Sequence, residues 1–340
     1  MSPISPAIEL LGAELAVMTA RHGRRVDVAG LGILDRSGQL TLNRPGLASP
    51  NGACRLFLAA DGWMVINLAR DEDRAMIPAW LQCETDADPW AVIAAHAGLH
   101  RRADLIGQAV LLGLPAAAVG EVRADDLDAP LLSYGTGVTE PADLNVVDLS
   151  ALWAGPMCGA ILAAMGASVL KIESTRRPDP TRVSTPEFFH RLNGAKRCIG
   201  LDLGSEGGQA ALREVISRAD VLITSARPRA FAGLGLDPDR VFGFNPGLVW
   251  VAITGYGWTG DAAQRVAFGD DAAAAGGLVR WTPGGAPRFL GDALADPVTG
   301  LAAALGTLRG LEAGGGVLVD VSLARSAAGA ANICRLRRPK

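Results

Sequence analysis

Several aspartates in the last third of the chain stand where a carboxylate can take part in chemistry. Asp296 precedes Pro297 and an apolar-periodic segment, which is the usual pattern of a residue that caps a helix N-terminus. The same place suits a nucleophile, because a helix N-terminus stabilises an ionised carboxylate. Asp292, four residues earlier, is expected to be a solvated loop residue. These residues alone leave Asp296 as either an ordinary cap or a reactive carboxylate.

A strand–helix–strand unit is predicted at residues 145–173. An apolar run ends at the Ala-Gly-Pro turn of residues 154–156, a helical pattern follows, and a second apolar run covers 168–172. Proline suits the first turn of a helix, and Gly166 suits its end. The turn lacks the Gly-x-Gly-x-x-Gly spacing of dinucleotide sites, so a nicotinamide or flavin cofactor has little support.

Strand-like and helix-like segments alternate through residues 143–340. Strands are predicted at 144–149, 168–172, 221–224, 248–254 and 317–321. Helices are predicted at 156–165, 207–219, 297–311 and 323–336. This alternation predicts an α/β fold whose open, mostly parallel, Rossmann-like sheet is covered on both faces.

A second, smaller α+β domain is predicted at residues 50–122. Two short apolar runs flank Asp61-Gly62 and predict a hairpin, and helical patterns follow around 73–81 and 89–112. Residues 123–142 show little periodicity and are expected to be a linker. Residues 1–49 are expected to form a helix and a connector.

The composition excludes several classes of protein. A net charge of -3 over 340 residues gives no general attraction to nucleic acid or to anionic membranes. No segment approaches the ~20 apolar residues of a membrane span, and the N-terminus lacks the basic region of a signal peptide. The five cysteines and four histidines lack metal-ligand spacing. We therefore expect a cytoplasmic protein with free thiols and no metal site.

Short motifs follow one another in a fixed order after residue 143. Beyond the Ala-Gly-Pro turn they are Asn193-Gly-Ala-Lys-Arg-Cys-Ile-Gly-Leu-Asp202, Ala219-Asp-Val-Leu-Ile-Thr-Ser-Ala-Arg-Pro228, Ile253-Thr-Gly-Tyr-Gly-Trp-Thr-Gly260, Ala295-Asp-Pro-Val-Thr-Gly300 and Val319-Asp-Val-Ser322. This ordered run resembles the class III CoA-transferases, of the formyl-CoA and carnitine-CoA type, and the related 2-methylacyl-CoA racemases. Asp61-Gly62-Trp63 and Gly113-Leu114-Pro115 resemble that family's small domain.

The resemblance implies that Asp296 is the catalytic aspartate. It would attack an acyl-CoA thioester to give an acyl-aspartyl anhydride, and the CoA thiolate would then form an aspartyl-CoA thioester that an acceptor carboxylate opens. Coenzyme A is then a co-substrate, and no cofactor is bound permanently. The implied partners are an acyl-CoA and a carboxylic acid, and a homodimer is expected.

The racemase branch is less well supported. Its members carry a histidine within Gly-His-Asp, where this chain has Gly269-Asp270-Asp271. An ordinary aspartate is too acidic to remove the α-proton of a thioester efficiently. This favours a transferase, although an aspartate pair with a raised pKa stays open. A non-catalytic CoA-binding subunit is a third alternative.

Binding of CoA requires basic side chains or helix N-termini for its phosphates. By position in the family's motifs, the basic candidates are Lys171, Arg176, Arg182, Lys196, Arg197 and Arg227. Arg227 follows Ser225-Ala226, where the family commonly has Asn-Phe. Ala154 and Gly155 would let the backbone approach the pantetheine and the thioester. Trp153 stands where formyl-CoA transferases carry a glutamine, which argues against formate or oxalate.

The order of the two domains departs from that of the family. There the small domain follows the Val-Asp-Val-Ser segment, whereas here it comes first. Joining Lys340 to Met1 would restore the usual order, so a circular permutation with neighbouring termini is expected. The alternative is a fragment of a fused protein, in which residues 1–142 belong to a preceding repeat.

Overall fold

The computed structural model describes residues 3–83, 87–137 and 143–336. The strands are β1 Cys54–Ala59, β2 Gly62–Asn67, β3 Ala116–Ala118, β4 Leu131–Ser133, β5 Asn145–Asp148, β6 Ser168–Ser174, β7 Arg197–Leu201, β8 Val221–Thr224, β9 Val249–Thr254, β10 Arg280–Trp281, β11 Pro287–Arg288 and β12 Val317–Ser322. The helices are α1 Ser5–His22, α2 Asp71–Ala75, α3 Ile77–Leu81, α4 Pro89–Ala97, α5 Arg102–Leu111, α6 Ala154–Met165, α7 Thr181–Ser184, α8 Pro186–Asn193, α9 Glu206–Ile216, α10 Pro228–Ala232, α11 Pro238–Phe244, α12 Gly269–Ala275, α13 Ala295–Glu312 and α14 Leu323–Ile333.

The large sheet has seven strands in the order β4-β12-β9-β8-β5-β6-β7. All neighbouring pairs are parallel except β4, which runs antiparallel to β12 at one edge. Every residue of β8 and β9 is buried, as expected for apolar central strands covered by helices on both faces. The prediction of a mostly parallel α/β sheet is confirmed.

Two strands of this sheet were absent from the sequence-based prediction. β7 pairs with β6 at one edge, and β4 lies within the segment predicted to be a linker. The linker prediction is therefore wrong for residues 131–133, and residues 138–142 lie outside the described residues. β4 has only three residues and alternates between exposed and half-buried, so it has too little apolar pattern to be recognised.

The crossovers of the large sheet reverse direction at β5. The chain runs from β5 through α6 to β6 on one side, and the later strand β8 returns to the other side of β5. Ligands of open α/β sheets bind in the crevice at such a switch point, beyond the carboxyl ends of the strands. The loops after β5 and β8 meet there, since the Ala151 N–H donates to Ser225 Oγ at 2.9 Å.

A small three-stranded sheet, in the order β1-β2-β3, forms a separate apolar cluster with α3, α4 and α5. β1 and β2 form the hairpin predicted at Asp61-Gly62. Trp80 is buried in this cluster, and its indole N–H donates to the Leu105 carbonyl at 2.8 Å.

The first part of the chain packs against the large sheet's helices. Backbone N–H groups of Gly120 and Val122 donate to carbonyls of α12 at 2.9 and 3.0 Å. α1 lies along α13, where Glu14 and Arg309 form an ion pair at 2.6 Å. Within the described residues, no helix has both the length and the apolar character needed to cross a membrane.

Candidate active site

Four aspartates occupy the region where α12 and α13 begin. Asp270 and Asp271 belong to the first turn of α12, Asp292 lies in the loop before α13, and Asp296 is the second residue of α13. Gly269 and Asp296 are in close contact, because a Cβ on Gly269 would lie only 2.1 Å from Asp296 Oδ2. Position 269 therefore requires glycine for the Asp296 carboxylate to sit where it does.

Asp296 does not cap its helix. The N-cap residue is Leu294, and Asp296 lies within the first turn. The interpretation of Asp296 as an ordinary cap is therefore wrong, because the helix starts two residues earlier than its proline suggested. A carboxylate in the first turn still faces the positive end of the helix dipole.

The electrostatics around Asp296 hold its carboxyl group between its charged and neutral forms at neutral pH. Burial raises its pKa to about 7, and the Arg36 cation opposes that shift. The negative charges of Asp270 and Asp292 raise the pKa further, whereas the backbone N–H of Ala154 lowers it. A buried carboxylate in such surroundings is poorly solvated, which favours nucleophilic or basic behaviour near neutral pH.

Asp292 is buried and paired, which corrects the expectation of a solvated loop residue. Its side chain is 7% exposed, and Arg36 reaches it with Nε 2.6 Å from Oδ2 and Nη2 3.2 Å from Oδ1. The Asn51 amide bridges two carboxylates, since Nδ2 donates to Asp292 Oδ1 and to Asp270 Oδ2, both at 2.7 Å. These contacts connect the first 51 residues to the carboxylate cluster.

Asp270 and Asp271 are not ordinary aspartates. Burial is the main cause that raises the pKa of Asp270 to about 6 and that of Asp271 to about 7. The two oxygens of Asp270 accept from the Ala293 N–H and from Asn51, at 2.7 Å each. Asp271 Oδ1 accepts from Asn67 Nδ2 at 2.8 Å. The alternative that the sequence left open, an aspartate pair with raised pKa values, is therefore the one that the structure supports.

Two non-glycine residues with positive φ flank this region. Leu152 has φ 71° immediately before Trp153, and Ala293 has φ 46° three residues before Asp296. Such conformations cost free energy and persist where the surrounding contacts enforce them, commonly at functional sites. Here the Leu152 N–H donates to Asp179 at 3.2 Å and the Ala293 N–H donates to Asp270.

The predicted contacts at the start of α6 lie next to the aspartates. Trp153 is buried, packs edge-on against Phe188 and donates its indole N–H to the Ile33 carbonyl at 2.9 Å. Ala154 presents its backbone N–H to Asp296. Gly155 is required by packing, because a Cβ there would lie 2.2 Å from Ser150 Cβ.

The two predicted lysines have their ammonium groups inside the protein. Lys171 is fully buried and donates to the Ser150 carbonyl at 2.7 Å. Lys196 is also fully buried and donates to Asp148 Oδ2 at 2.7 Å, to the Pro156 carbonyl at 2.8 Å and to Asn193 Oδ1 at 2.8 Å. These contacts stabilise the sheet's switch point, so we do not carry either lysine into a phosphate-binding role.

The predicted arginines differ in their surroundings. Arg176 and Arg182 are exposed at the side chain and form ion pairs with Asp202 and Glu173. Arg197 is exposed on the edge strand β7. Arg227 follows β8 at the switch point.

Arg227 differs from the other arginines in having further cations close by. Burial and the nearby Arg229 and Arg70 cations lower its pKa. Arg70 is itself paired with Asp73, so Arg227 and Arg229 are the cations that could meet an anionic ligand beside the crevice in which the fold places ligands.

The sequence-based search missed Arg36, Asn51 and Asn67. All three lie in the first 67 residues, more than 200 positions from the aspartates that they contact. Pro50-Asn51-Gly52 is an ordinary turn sequence, and Arg36 stands in a connector, so neither carried a local signal. Among the described residues, no group of three or more His, Cys, Asp or Glu side chains is arranged to hold a metal ion.

Similarity to curated proteins covers a little over half of this chain. It is 32% identical over 198 residues to a succinyl-CoA–D-citramalate CoA-transferase of Chloroflexus aurantiacus, covering 53% of this chain and 48% of that protein. It is 32% identical over 199 residues to a succinate–glutarate CoA-transferase of Agrobacterium fabrum, covering 53% and 50% of the two chains. The chain thus spans about half the length of the curated relatives it matches.

Solved structures also resemble this chain over a little more than half of its length. A CAIB/BAIF family protein from Brucella suis superposes with a TM-score of 0.52 at 31% identity, over 58% of this chain and 56% of that one. A hypothetical protein from Mycobacterium tuberculosis gives a TM-score of 0.52 at 28% identity, over 57% and 58%. The sequence model of CoA-transferase family III matches residues 142–333, and this chain belongs to that family.

Proposed function

We propose that the chain transfers CoA between carboxylic acids and that Asp296 carries the covalent intermediates. The observation that supports this most directly is the placement of Asp296. Asp296 lies at the start of α13, and its carboxylate contacts Gly269 of α12 and faces the Ala154 N–H. Its pKa is raised to about 7. Asp296 lies within residues 142–333, which match CoA-transferase family III, and relatives named as CoA-transferases match a little over half of the chain.

The proposed reaction conserves the free energy of the thioester through two anhydrides. An Asp296 oxygen attacks the thioester carbonyl and expels the CoA thiolate, which leaves an acyl-aspartyl anhydride. The thiolate attacks the Asp296 carbonyl, the donor acid departs as a carboxylate, and an aspartyl-CoA thioester forms. The acceptor carboxylate then attacks this thioester and expels the thiolate again. In the last step the thiolate attacks the acceptor's carbonyl, which releases the new acyl-CoA and restores Asp296.

The neighbouring groups support this role of Asp296. The Arg36 cation and the Ala154 N–H favour the ionised carboxylate that must attack, while burial withholds the water that would weaken its reactivity. Water exclusion also protects an anhydride from hydrolysis.

We place CoA at the switch point, with its phosphates toward Arg227. The loops after β5 and β8 meet there, Arg227 follows β8, and the Arg229 cation is close enough to lower the pKa of Arg227. Trp153 and Ala154 follow β5, and the Ala154 N–H contacts Asp296, so we propose that the pantetheine arm passes them to bring its sulfur to the carboxylate. CoA would enter and leave as a co-substrate, together with an acyl-CoA and an acid.

A test follows the CoA group directly. The protein is mixed with an acyl-CoA and a second, isotopically labelled carboxylic acid, and labelled acyl-CoA is measured by mass spectrometry. Hydroxylamine is added in a parallel reaction, because it reacts with anhydrides and thioesters and would leave a hydroxamate on Asp296. Asp296→Asn and Asp296→Ala should abolish both transfer and adduct.

The chain offers a matched control for these variants. Asp239 also lies second in its helix, α11, and is exposed. Asp239→Asn should keep full activity, because its carboxylate has the same helical position but no buried cluster around it. Transfer that persists in Asp296→Ala would overturn the assignment.

A racemase is the second candidate, and one observation favours it. Asp270 lies in the position where racemases have a histidine, and burial raises its pKa to about 6. Each of its oxygens nevertheless accepts a hydrogen bond, from the Ala293 N–H and from Asn51, and both bonds oppose the rise in pKa that a base would need. We therefore rank it below the transferase.

We further propose a homodimer and a cytoplasmic location. Light scattering coupled to size exclusion tests the first, and fractionation of native cells tests the second.

A further inference from the structure

A cavity of about 340 Å³ adjoins the aspartate cluster on the side formed by the first part of the chain. Its apolar lining consists of Ile4, Ile8, Leu34, Leu42, Trp153 and Leu294. Arg36 and Asp292 also line it, and both act electrostatically on Asp296. Leu294 and Asp292 precede Asp296 by two and four residues. The cavity is thus continuous with the groups that surround the proposed nucleophile.

The position of the cavity determines what can occupy it. Asp296 must contact the carbonyl carbon of the thioester, so the CoA arm and the acyl group extend from that carbon in different directions. If the arm lies in the switch-point crevice, the space beyond Trp153 and Arg36 remains for the acyl group. This step rests on the proposed function.

The charged groups of the lining are already paired with protein groups. Arg36 makes a two-point contact with Asp292 and stacks over the Trp153 ring at 5.3 Å. Asp35 accepts from the Ser37 hydroxyl at 2.7 Å and from the Ser37 N–H at 3.1 Å. The Trp153 indole N–H is bound to Ile33. A ligand carboxylate would therefore meet an Arg36 cation whose charge Asp292 already balances.

The charge balance of the lining also opposes a second carboxylate. Two aspartates, Asp35 and Asp292, line the cavity together with one guanidinium, that of Arg36. An acyl group that ends in a carboxylate would add a third negative charge to this space at an unfavourable free energy. An apolar acyl group would instead remove from water both its own apolar surface and that of the cavity wall.

We propose that this cavity holds an apolar acyl chain, so that the preferred substrates are CoA thioesters of aliphatic monocarboxylic acids rather than of dicarboxylic acids. The preference follows from the apolar walls and from the internal pairing of Arg36. Each added methylene that enters the cavity should raise kcat/KM about fourfold until the cavity is full, since burying one CH₂ contributes ~0.8 kcal/mol.

The experiment compares acetyl-CoA, hexanoyl-CoA and succinyl-CoA as donors to one labelled acceptor, acetate. Hexanoyl-CoA should give the highest kcat/KM, at least about tenfold above succinyl-CoA. Leu42→Trp fills the cavity and should lower the ratio of hexanoyl to acetyl transfer at least about tenfold. Leu111→Trp makes the same change at a position that is 87% exposed on α5, and should leave that ratio unchanged.

Binding to the inactive Asp296→Asn variant separates this inference from the proposed function. Calorimetry should show hexanoyl-CoA binding more tightly than succinyl-CoA, with a larger negative heat-capacity change, whether or not the wild type turns over. Equal or tighter binding and faster transfer of succinyl-CoA would overturn the inference while leaving CoA transfer intact. Absence of transfer from all three thioesters, with hexanoyl-CoA still preferred in binding, would overturn the proposed function instead.

Discussion

Arg36 and Asp292 form a two-point ion pair across 256 positions of sequence, with Nε 2.6 Å from Oδ2 and Nη2 3.2 Å from Oδ1. The pair joins the connector that follows α1 to the loop that presents Asp296. Only one fifth of the Arg36 side chain is exposed, so water screens its charge weakly. The cation is therefore a determinant of how the neighbouring carboxylates titrate.

Replacing Arg36 should change the pH dependence of catalysis. In the proposed reaction Asp296 attacks as a carboxylate, and its pKa is raised to about 7, so kcat/KM should rise with pH through that value. Arg36 lowers this pKa, and Arg36→Gln should therefore shift the rise to higher pH. The measurement is kcat/KM from pH 5 to 9.

Arg36→Lys is the matched control for this prediction. It keeps the positive charge but loses the planar two-point contact, so its pH profile should lie near that of the wild type even where its rate is lower. An unchanged acid limb in a folded Arg36→Gln variant would contradict the electrostatic role. If the acid limb of the kcat/KM profile shifted equally in Arg36→Gln and Arg36→Lys, the shift would come from altered packing and not from the lost charge.

Asp271 should make the protein less stable as the pH rises from about 4 to about 7. Its folded-state pKa is raised to about 7 from an ordinary 3.8, so the folded protein holds a proton that the unfolded chain has released. The stabilisation is complete below the unfolded pKa and is lost as the pH passes through the folded one. Asp271 Oδ2 and Asn67 Oδ1 are buried and have no partner among the described residues, so a proton on Asp271 supplies a missing donor.

Asp271→Asn should remove this dependence. The amide cannot titrate, and its N–H₂ can donate where the protonated acid did. The difference in unfolding free energy between the variant and the wild type should grow in favour of the variant as the pH rises from 4 to 7. It should reach up to roughly 4 kcal/mol by pH 8. Urea unfolding at several pH values measures this. Asp125→Asn, at an exposed side chain, is the control and should run parallel to wild type at every pH.

Lys196 and Arg227 should respond differently to removal, although both were candidates for CoA binding. Lys196→Met leaves Asp148 buried without its nearest cation, which should cost about 3–5 kcal/mol of unfolding free energy. Arg227→Ala should leave stability nearly unchanged and raise the KM for acyl-CoA about tenfold or more, as expected for a lost bond to a phosphate. Denaturation midpoints and KM values for both variants distinguish the roles. A Lys196→Met variant that is stable but binds CoA weakly would instead give Lys196 the CoA-binding role.

The sequence was most informative for local features with a clear apolar pattern or turn motif. The period of apolar residues located β5, β6, β8, β9 and β12, and the Asp61-Gly62 hairpin followed from its turn residues. Asp296 could be chosen as the candidate nucleophile because the motif that resembles the family, residues 295–300, is continuous in the sequence. The surroundings of Asp296 could not be predicted, because Arg36, Asn51 and Asn67 reach the cluster only through tertiary packing. Burial then changed the chemistry of Asp270, Asp271 and Asp292, and burial depends on that packing.

The contacts of the first part of the chain also support our proposal that its order is permuted. Asn51, Asn67 and Arg36 supply the partners of buried aspartates in the same chain, as a domain of one enzyme would. Burial raises the pKa of Cys334, after α14, and the backbone N–H of Ala7 in α1 opposes this shift, so the two helices approach one another there. Met1 and Lys340, whose proximity was predicted, lie outside the described residues.

A reordered chain tests the permutation. Residues 143–340 followed directly by residues 1–137 should fold to a protein whose Tm lies within a few degrees of the original and which binds CoA equally well. The control carries the same reordering with Asn51→Ala and Asn67→Ala, and should lose stability as the original does with those changes. A reordered chain that stays unfolded, beside a stable 143–340 segment alone, would favour the fused-fragment alternative.

The last prediction is that the protein does not racemise 2-methylacyl-CoA at a useful rate. A racemase removes a proton from one face of the α-carbon and delivers one to the other, so two groups must reach that carbon. Asp296 can be one, and Asp270 is the other candidate by position. The pKa of Asp270 is raised to about 6, but its oxygens accept from the Ala293 N–H and from Asn51.

Incubation with a single enantiomer in D₂O decides the matter. Deuterium at the α-carbon with loss of optical purity, abolished by Asp270→Asn, would replace the transferase assignment with a racemase. No exchange, together with CoA passing to an added acid, is the expected result. Tight CoA binding with neither exchange nor transfer would identify a non-catalytic subunit.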